Sequence, residues 1–212
     1  MIRDLYRGAW RDVLCNYGWF LAGFAGIVTV WLFVEWVVIL SPLAGNRTAW
    51  WVMHVAYFFL TAMPEAALVR LADNIAARRL PRWRILPNVA TVVRYTMVKF
   101  IVLPVFIMGL LLLIVPGLYV GARLLFSGFC VVVESRPVVG SLRFSLMMGR
   151  GRIGELMVLV LSLVLLNLLG LALMGVGLLI TLPLSYVVVA RAYRQADRAF
   201  GIRTSSGTSF GS

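Results

Sequence analysis

Residues 100–133 read FIVLPVFIMGLLLLIVPGLYVGARLLFSGFCVVV, a run in which Arg123 is the one charged residue. The run is too long for one crossing, since about twenty residues at 1.5 Å each match the roughly 30 Å hydrocarbon layer of a bilayer. Pro116-Gly117 near its centre marks a tight turn, so two spans are predicted, at about 100–115 and 118–133. Backbone polar groups in hydrocarbon must find partners inside the segment, which leaves helices or a closed barrel. The apolar residues are continuous rather than alternating, which selects helices.

Similar runs flank this stretch. A first span is predicted at about 17–40, ending at Ser41-Pro42, and a second at about 49–71, with a kink at Pro64. On the other side, the run from Ile153 to Ala190 divides at Gly175 and Gly177 into spans at about 153–173 and 178–193. Three segments pair an apolar stripe with arginines and read as helices lying on the membrane surface, at about 2–14, 88–99 and 137–150. In the first, Ile2, Leu5, Ala9 and Val13 share one side while Arg3, Arg7 and Arg11 recur on another. The order of surface helix, span, turn and span occurs three times. The last two copies also share a pattern, with Pro116, Tyr119 and Arg123 paralleling Pro183, Tyr186 and Arg191. The expected fold is thus an all-α polytopic bundle of about six spans in three hairpins over residues 1–200. The Gly/Ser/Thr-rich stretch 201–212 is expected to be a disordered tail.

The whole composition agrees. The 212 residues are 62% hydrophobic and 13% charged, with mean hydropathy +0.95, more apolar surface than a soluble core of this size hides. The net charge of +12 raises nucleic acid as a partner. A nucleic-acid groove needs a basic face interleaved with aromatics, however, and these arginines sit in short segments between apolar runs. Topology accounts for them better: with both termini on one side, every basic residue except Arg47 and Arg123 falls on that side, which the positive-inside rule makes cytoplasmic. The first apolar run lacks a small-residue cleavage site and is read as an uncleaved span. Arginine outnumbers lysine 19 to 1, a hint of a GC-rich bacterial genome. Cys15 and Cys130 both fall near the cytoplasmic edge, where a disulfide is not expected.

Ionisable residues inside a span each ask for a partner or a purpose. Glu35 lies six residues before Ser41 and Arg123 seven after Pro116, which places both roughly 10 Å below the outer boundary. An ion pair between them is the preferred reading, and a polar station on a solute or proton route the alternative. Arg70 and Asp73, three residues apart near the headgroups, are placed to meet on one helical face. Glu65 beside Pro64 lies deeper with no evident partner and is assigned an interhelical hydrogen bond, a transporter-like gate being the alternative. Asn167 is expected to bond across helices, and Glu155 to favour the N-terminus of the fifth span. The single His54 has no ligand-spaced neighbours and joins Trp50, Trp51 and Tyr57 in an interfacial belt, so no metal or other cofactor is expected. No phosphate loop and no nucleophile with a base is present in the sequence, which gives no sign of an enzyme. Arg136, Arg143 and Arg150 recur every seven residues. With Arg3, Arg7 and Arg11 and the cluster of Arg78, Arg79, Arg82 and Arg84, they form a positive field toward anionic headgroups, at about 1 kcal/mol per residue near the surface. Gly18, Ala22 and Gly26, and Gly117 and Gly121, permit close helix contact within the fold or between protomers.

Val115-Pro116-Gly117-Leu118-Tyr119, Arg123 and Phe126 are followed by Val131-Val132-Val133-Glu134. Then come Ser141-Leu142-Arg143-Phe144-Ser145-Leu146 and Gly149, with Leu182-Pro183 and Tyr193-Arg194 closing the stretch. In these residues the chain resembles the YciC-like bacterial membrane proteins and the membrane domain fused to some glycerophosphoryl diester phosphodiesterases. The likeness spans Ile114 to Arg194 and extends to the first half only as a pattern of hairpins. It implies a multispan inner-membrane architecture and no reaction, because the phosphodiesterase chemistry of fused members belongs to a separate soluble domain. The expected role is therefore non-enzymatic, an accessory or membrane-organising protein acting through lipids and a membrane-protein partner or second copy. A small transporter or permease component using Glu35, Arg123 and Glu65 is the alternative.

Overall fold

Leu5, Ala9 and Val13 are fully buried while Arg3, Arg7 and Arg11 are exposed, so the four-residue period at the start of the chain forms the amphipathic helix it predicts, α1 (Ile2–Cys15). The computed structural model describes residues 2–40, 47–79, 86–149, 152–173 and 177–199. The expected turns at 41–46 and Gly175, together with Arg82, Arg84, Arg150, the His54 side chain and the tail 201–212, lie outside the described residues. Within them every regular element is a helix: α2 (Tyr17–Leu40), α3 (Arg47–Ala76), α4 (Val89–Leu112), α5 (Ile114–Leu124), α6 (Ser127–Glu134), α7 (Val138–Met148), α8 (Ile153–Ala172) and α9 (Leu178–Ala199). Five stretches are long and apolar enough to cross a membrane: Tyr17–Val37, Trp51–Ala76, Val89–Leu111, Val115–Glu134 and Ile153–Ala172. α9 falls outside that set because its last turns carry Arg191, Arg194, Asp197 and Arg198.

The 100–133 run divides differently from the sequence expectation. The expected surface helix 88–99 and the first half of the run are one continuous helix, α4, because nothing between Val89 and Leu112 breaks it and Pro104 is absorbed within. The break falls at Leu113, whose backbone is extended, and not at Pro116-Gly117. Pro116 instead sits in the first turn of α5, where a missing N–H leaves no intrahelical bond unmade. Gly117 serves the turn in another way: a Cβ there would stand 2.7 Å from the Cα of Leu110, so only glycine lets α5 fold back this closely on α4.

The following span is itself broken, into α5 and α6, at Leu125-Phe126. A buried hydroxyl bridges the gap. Ser145 of α7 donates to the Arg123 carbonyl at 2.8 Å and accepts the Phe126 N–H at 3.3 Å, which supplies partners to backbone groups that the break would leave unbonded.

α1 is docked on the rest of the protein. Its apolar face packs on α9, and the Tyr6 and Ser162 hydroxyls share a hydrogen bond of 2.8 Å to α8. Between α2 and α3 the close contact runs through Gly23 against Leu68 and Gly26 against Pro64, while Gly18 faces open space. The buried core gathers at the end of the bundle where the arginines lie, around Phe20, Leu68, Phe126, Val131, Val187 and Tyr193. Toward the opposite end the helices present large apolar side chains outward, among them Trp36 at 61% and Leu111 at 80% exposure, the surface a lipid-facing helix offers.

Candidate functional site

Arg191, Arg194, Gln195 and Arg198 stand at i, i+3, i+4 and i+7 on α9, which puts all four on one helical face. That face looks onto the end of α3. Together with Ala76 and Arg78 the four side chains line a cavity of about 420 Å³. Arg191 is thirteen residues from Leu178 and Arg198 twenty, so they stand roughly 20 and 30 Å along the helix axis. On a helix that entered hydrocarbon at Leu178, Arg198 would reach the far edge of a layer about 30 Å thick and Arg191 would stand about 10 Å inside it.

Two of the four arginines are neutralised by neighbouring helices. Arg194 donates to both carboxylate oxygens of Asp73 on α3, at 2.9 and 2.6 Å, the forked geometry a guanidinium matches. Arg191 donates to Asp12 on α1, with its Nε at 3.2 Å and a terminal nitrogen closer. Gly8 makes room for this: a Cβ there would run into the Arg191 guanidinium. Arg78 and Arg198 have no carboxylate partner among the described residues. Nor do the adjoining stretches carry one, since residues 74–133 and 199–212 contain no Asp or Glu.

Arg78 occupies a costly position. Its φ of 56° is left-handed, and α3 ends there in a Schellman turn, with Arg79 N–H bonded to Asn74 O and Arg78 N–H to Ile75 O, both at 2.9 Å. Glycine is the usual residue at such a site because it has no Cβ to strain. The arginine exchanges that ease for a guanidinium on the cavity wall. Nearby, Asp197 has a buried Oδ1 without a hydrogen bond among the described residues, and burial pushes its carboxyl above the usual range. Tyr193 on the same helix donates to Glu134, which also pairs with Arg136.

A second polar site lies deeper. Lys99 on α4 sits 2.7 Å from both carboxylate oxygens of Glu65 on α3, with the Phe58 ring 4.6 Å from its ammonium. The Tyr95 and Tyr186 side chains lie within electrostatic reach of the carboxylate. Glu65 is eleven residues from Ala76 and Lys99 ten from Val89, so each stands roughly 15 Å from the arginine end, a distance equal to about half the thickness of a bilayer's hydrocarbon layer. Lys99 also borders an apolar cavity of about 290 Å³ walled by Val102, Phe106, Leu125 and Val160.

The expected pairings change accordingly. Glu65, read as lacking a partner, has one in Lys99, which the sequence reading placed on a surface helix. Arg70 and Asp73 do not pair with each other. Arg70 bonds the carbonyls of Val132 and Leu86, at 3.2 and 3.4 Å, and Asp73 holds Arg194. Glu35 and Arg123 are not brought together: α2 packs on α3 and α9, while Arg123 donates to the Tyr119 hydroxyl and to Leu146 O on α7. The depth matching failed because α5 starts earlier than the supposed Pro116 turn and because α7 folds up against the broken span. Arg136 lies ahead of α7, bound to Glu134 and 3.9 Å over the Phe144 ring, so it does not extend a stripe through Arg143. Arg143 and Arg79 are exposed. Asn167 does bond across helices, to Ser185 at 2.9 Å, and Glu155 does open α8.

The α9 face was missed although its spacing was visible in the sequence, because each arginine was assigned to topology singly. No family model, no curated protein and no solved structure matches this chain.

Proposed function

We propose that the chain is a non-enzymatic membrane-organising or accessory protein that acts by holding anionic lipid headgroups at its arginine end. In this reading it is a six-span bundle of three hairpins in a bacterial cytoplasmic membrane, with α9 as the sixth crossing and both termini in the cytoplasm. The positive-inside rule supports that orientation, and the likeness of Ile114 to Arg194 to YciC-like proteins agrees with it. The observation that carries the reading is the α9 face, where four polar side chains meet Arg78 around one cavity at the end of the bundle, with two of the guanidinium groups lacking a carboxylate partner among the described residues. Anionic lipids are the abundant counter-charge at a cytoplasmic membrane surface, attracted at about 1 kcal/mol per arginine before any specific bond is made.

Extraction of the full chain in a lipid-retaining polymer, with mass spectrometry of the lipids carried along, tests this. The expected result is enrichment of anionic over zwitterionic lipid relative to the bulk membrane. A retained composition equal to the bulk contradicts it.

A small transporter is the second reading, and the Glu65 and Lys99 pair favours it, since an ion pair midway through the bilayer beside a cavity is what a polar station on a solute route requires. Vesicle flux assays of the parent and Glu65→Gln decide it. Equal, background-level flux in both ends that reading.

A further inference from the structure

We infer that the cavity between the ends of α3 and α9 is a site for a phosphate monoester, the doubly charged end group of a lipid or of a soluble phosphoester. This rests on the headgroup reading above and narrows it from anionic surfaces in general to one ligand chemistry.

Charge matching is the first argument. Of the four arginines on the cavity, Arg191 is balanced by Asp12 and Arg194 by Asp73. Arg78 and Arg198 remain, two guanidinium groups on the cavity wall without a carboxylate partner among the described residues, and Asp197, whose charge is felt at Arg194, does not line the cavity. A phosphodiester carries one negative charge and leaves one arginine unmatched. A monoester carries nearly two at neutral pH and offers three terminal oxygens as acceptors.

Placement is the second. Arg191 and Arg194 are fixed by their carboxylates, so the cavity wall is pre-formed, and Gln195, one turn on from Arg191, adds a neutral donor to it. Arg78 comes from a different helix and closes the other side. An anion between Arg78 and Arg198 would therefore be held across the α3–α9 contact by guanidinium groups from two elements, the arrangement in which arginine binds phosphate best.

The left-handed backbone at Arg78 is the third. A non-glycine residue there costs stability that glycine would not, and among the described residues no hydrogen bond or ion pair of its guanidinium offsets it. A ligand contact does.

The same position supplies a clean variant. Arg78→Gly removes the guanidinium and eases the turn, so a loss of binding in it is not a loss of fold. The full chain in detergent is titrated with phosphatidic acid, a monoester, or phosphatidylglycerol, a diester, with phosphatidylcholine as reference, and bound lipid is counted by native mass spectrometry. Phosphatidic acid is expected to bind about tenfold more tightly than phosphatidylglycerol, and Arg78→Gly and Arg198→Gln each to weaken it about tenfold, the loss of one charge-assisted contact. Arg152→Gln, exposed and off the cavity, should leave it unchanged. Displacement of the lipid by inorganic phosphate or glycerol 3-phosphate assigns the site to soluble phosphoesters, and resistance to both assigns it to a lipid headgroup. Equal binding of the two anionic lipids, both above phosphatidylcholine, overturns the monoester site and leaves the headgroup reading standing. No preference for either over phosphatidylcholine overturns both. Full phosphatidic acid affinity in Arg78→Gly and Arg198→Gln overturns the assignment of the cavity.

Discussion

Lys99, the one lysine in the chain, places its ammonium 2.7 Å from each carboxylate oxygen of Glu65 and so joins α3 to α4 midway between the ends of the bundle. Removing either partner leaves a lone charge at bilayer depth, which costs about 2.5 to 3.5 kcal/mol. Removing both does not. Glu65→Gln and Lys99→Met are each expected to lower the unfolding temperature in detergent, and the double variant to recover most of the loss. Additive losses in the double variant would contradict a direct pair.

The docking of α1 rests on Gly8 leaving space for Arg191 to reach Asp12. A larger side chain at Gly8 pushes the guanidinium away, and Asp12→Asn removes the charge it binds. Gly8→Leu and Asp12→Asn should therefore each increase protease cleavage near residues 1–16, and combining them should add little. If Gly8→Leu cleaves at the parent rate, the guanidinium does not need that space.

Asp197 gives a pH dependence with a definite sign. Burial raises its folded carboxyl above the ordinary 3.8, so the folded state holds the proton more tightly than the unfolded chain. Stability from this group is present below that value and falls as pH rises toward the folded value. Asp197→Asn, which cannot ionise, should unfold at a higher temperature than the parent at pH 7, and the gap should close in acid. A gap of the same size at both pH values would assign the effect to something other than ionisation.

Ser145 is the hydroxyl that bridges the break between α5 and α6. Ser145→Ala leaves the Phe126 N–H and one acceptor site on the Arg123 carbonyl unbonded, at about 1 to 3 kcal/mol. Thermal unfolding should show that loss, whereas Ser135→Ala, at the exposed end of α6, should not approach it. Equal effects would mean the bridge carries no special weight.

What the sequence made legible followed periodicity. The faces of α1 and the approximate extents of α2 and α8 were readable because their patterns are local and need no knowledge of neighbours. The Glu65 and Lys99 pair was not, since 34 residues separate the partners and the stretch holding Lys99 read as a surface helix. Arg123 misled for a related reason: a proline-glycine pair signals a turn, and here the proline was absorbed into the first turn of a helix. The α9 arginines lay on a readable i, i+3, i+4, i+7 face, but their cavity needs the end of α3 opposite, which only packing supplies.

The central claim is that the arginine end of the bundle faces the cytoplasm, and the chain carries its own reporter. Cys15 is exposed, three residues past Asp12 and the Arg191 it binds, while Cys130 is buried. A membrane-impermeant maleimide should leave intact cells unlabelled and should label Cys15 once the membrane is opened. Labelling of Cys15 in intact cells would turn the bundle over and contradict the account.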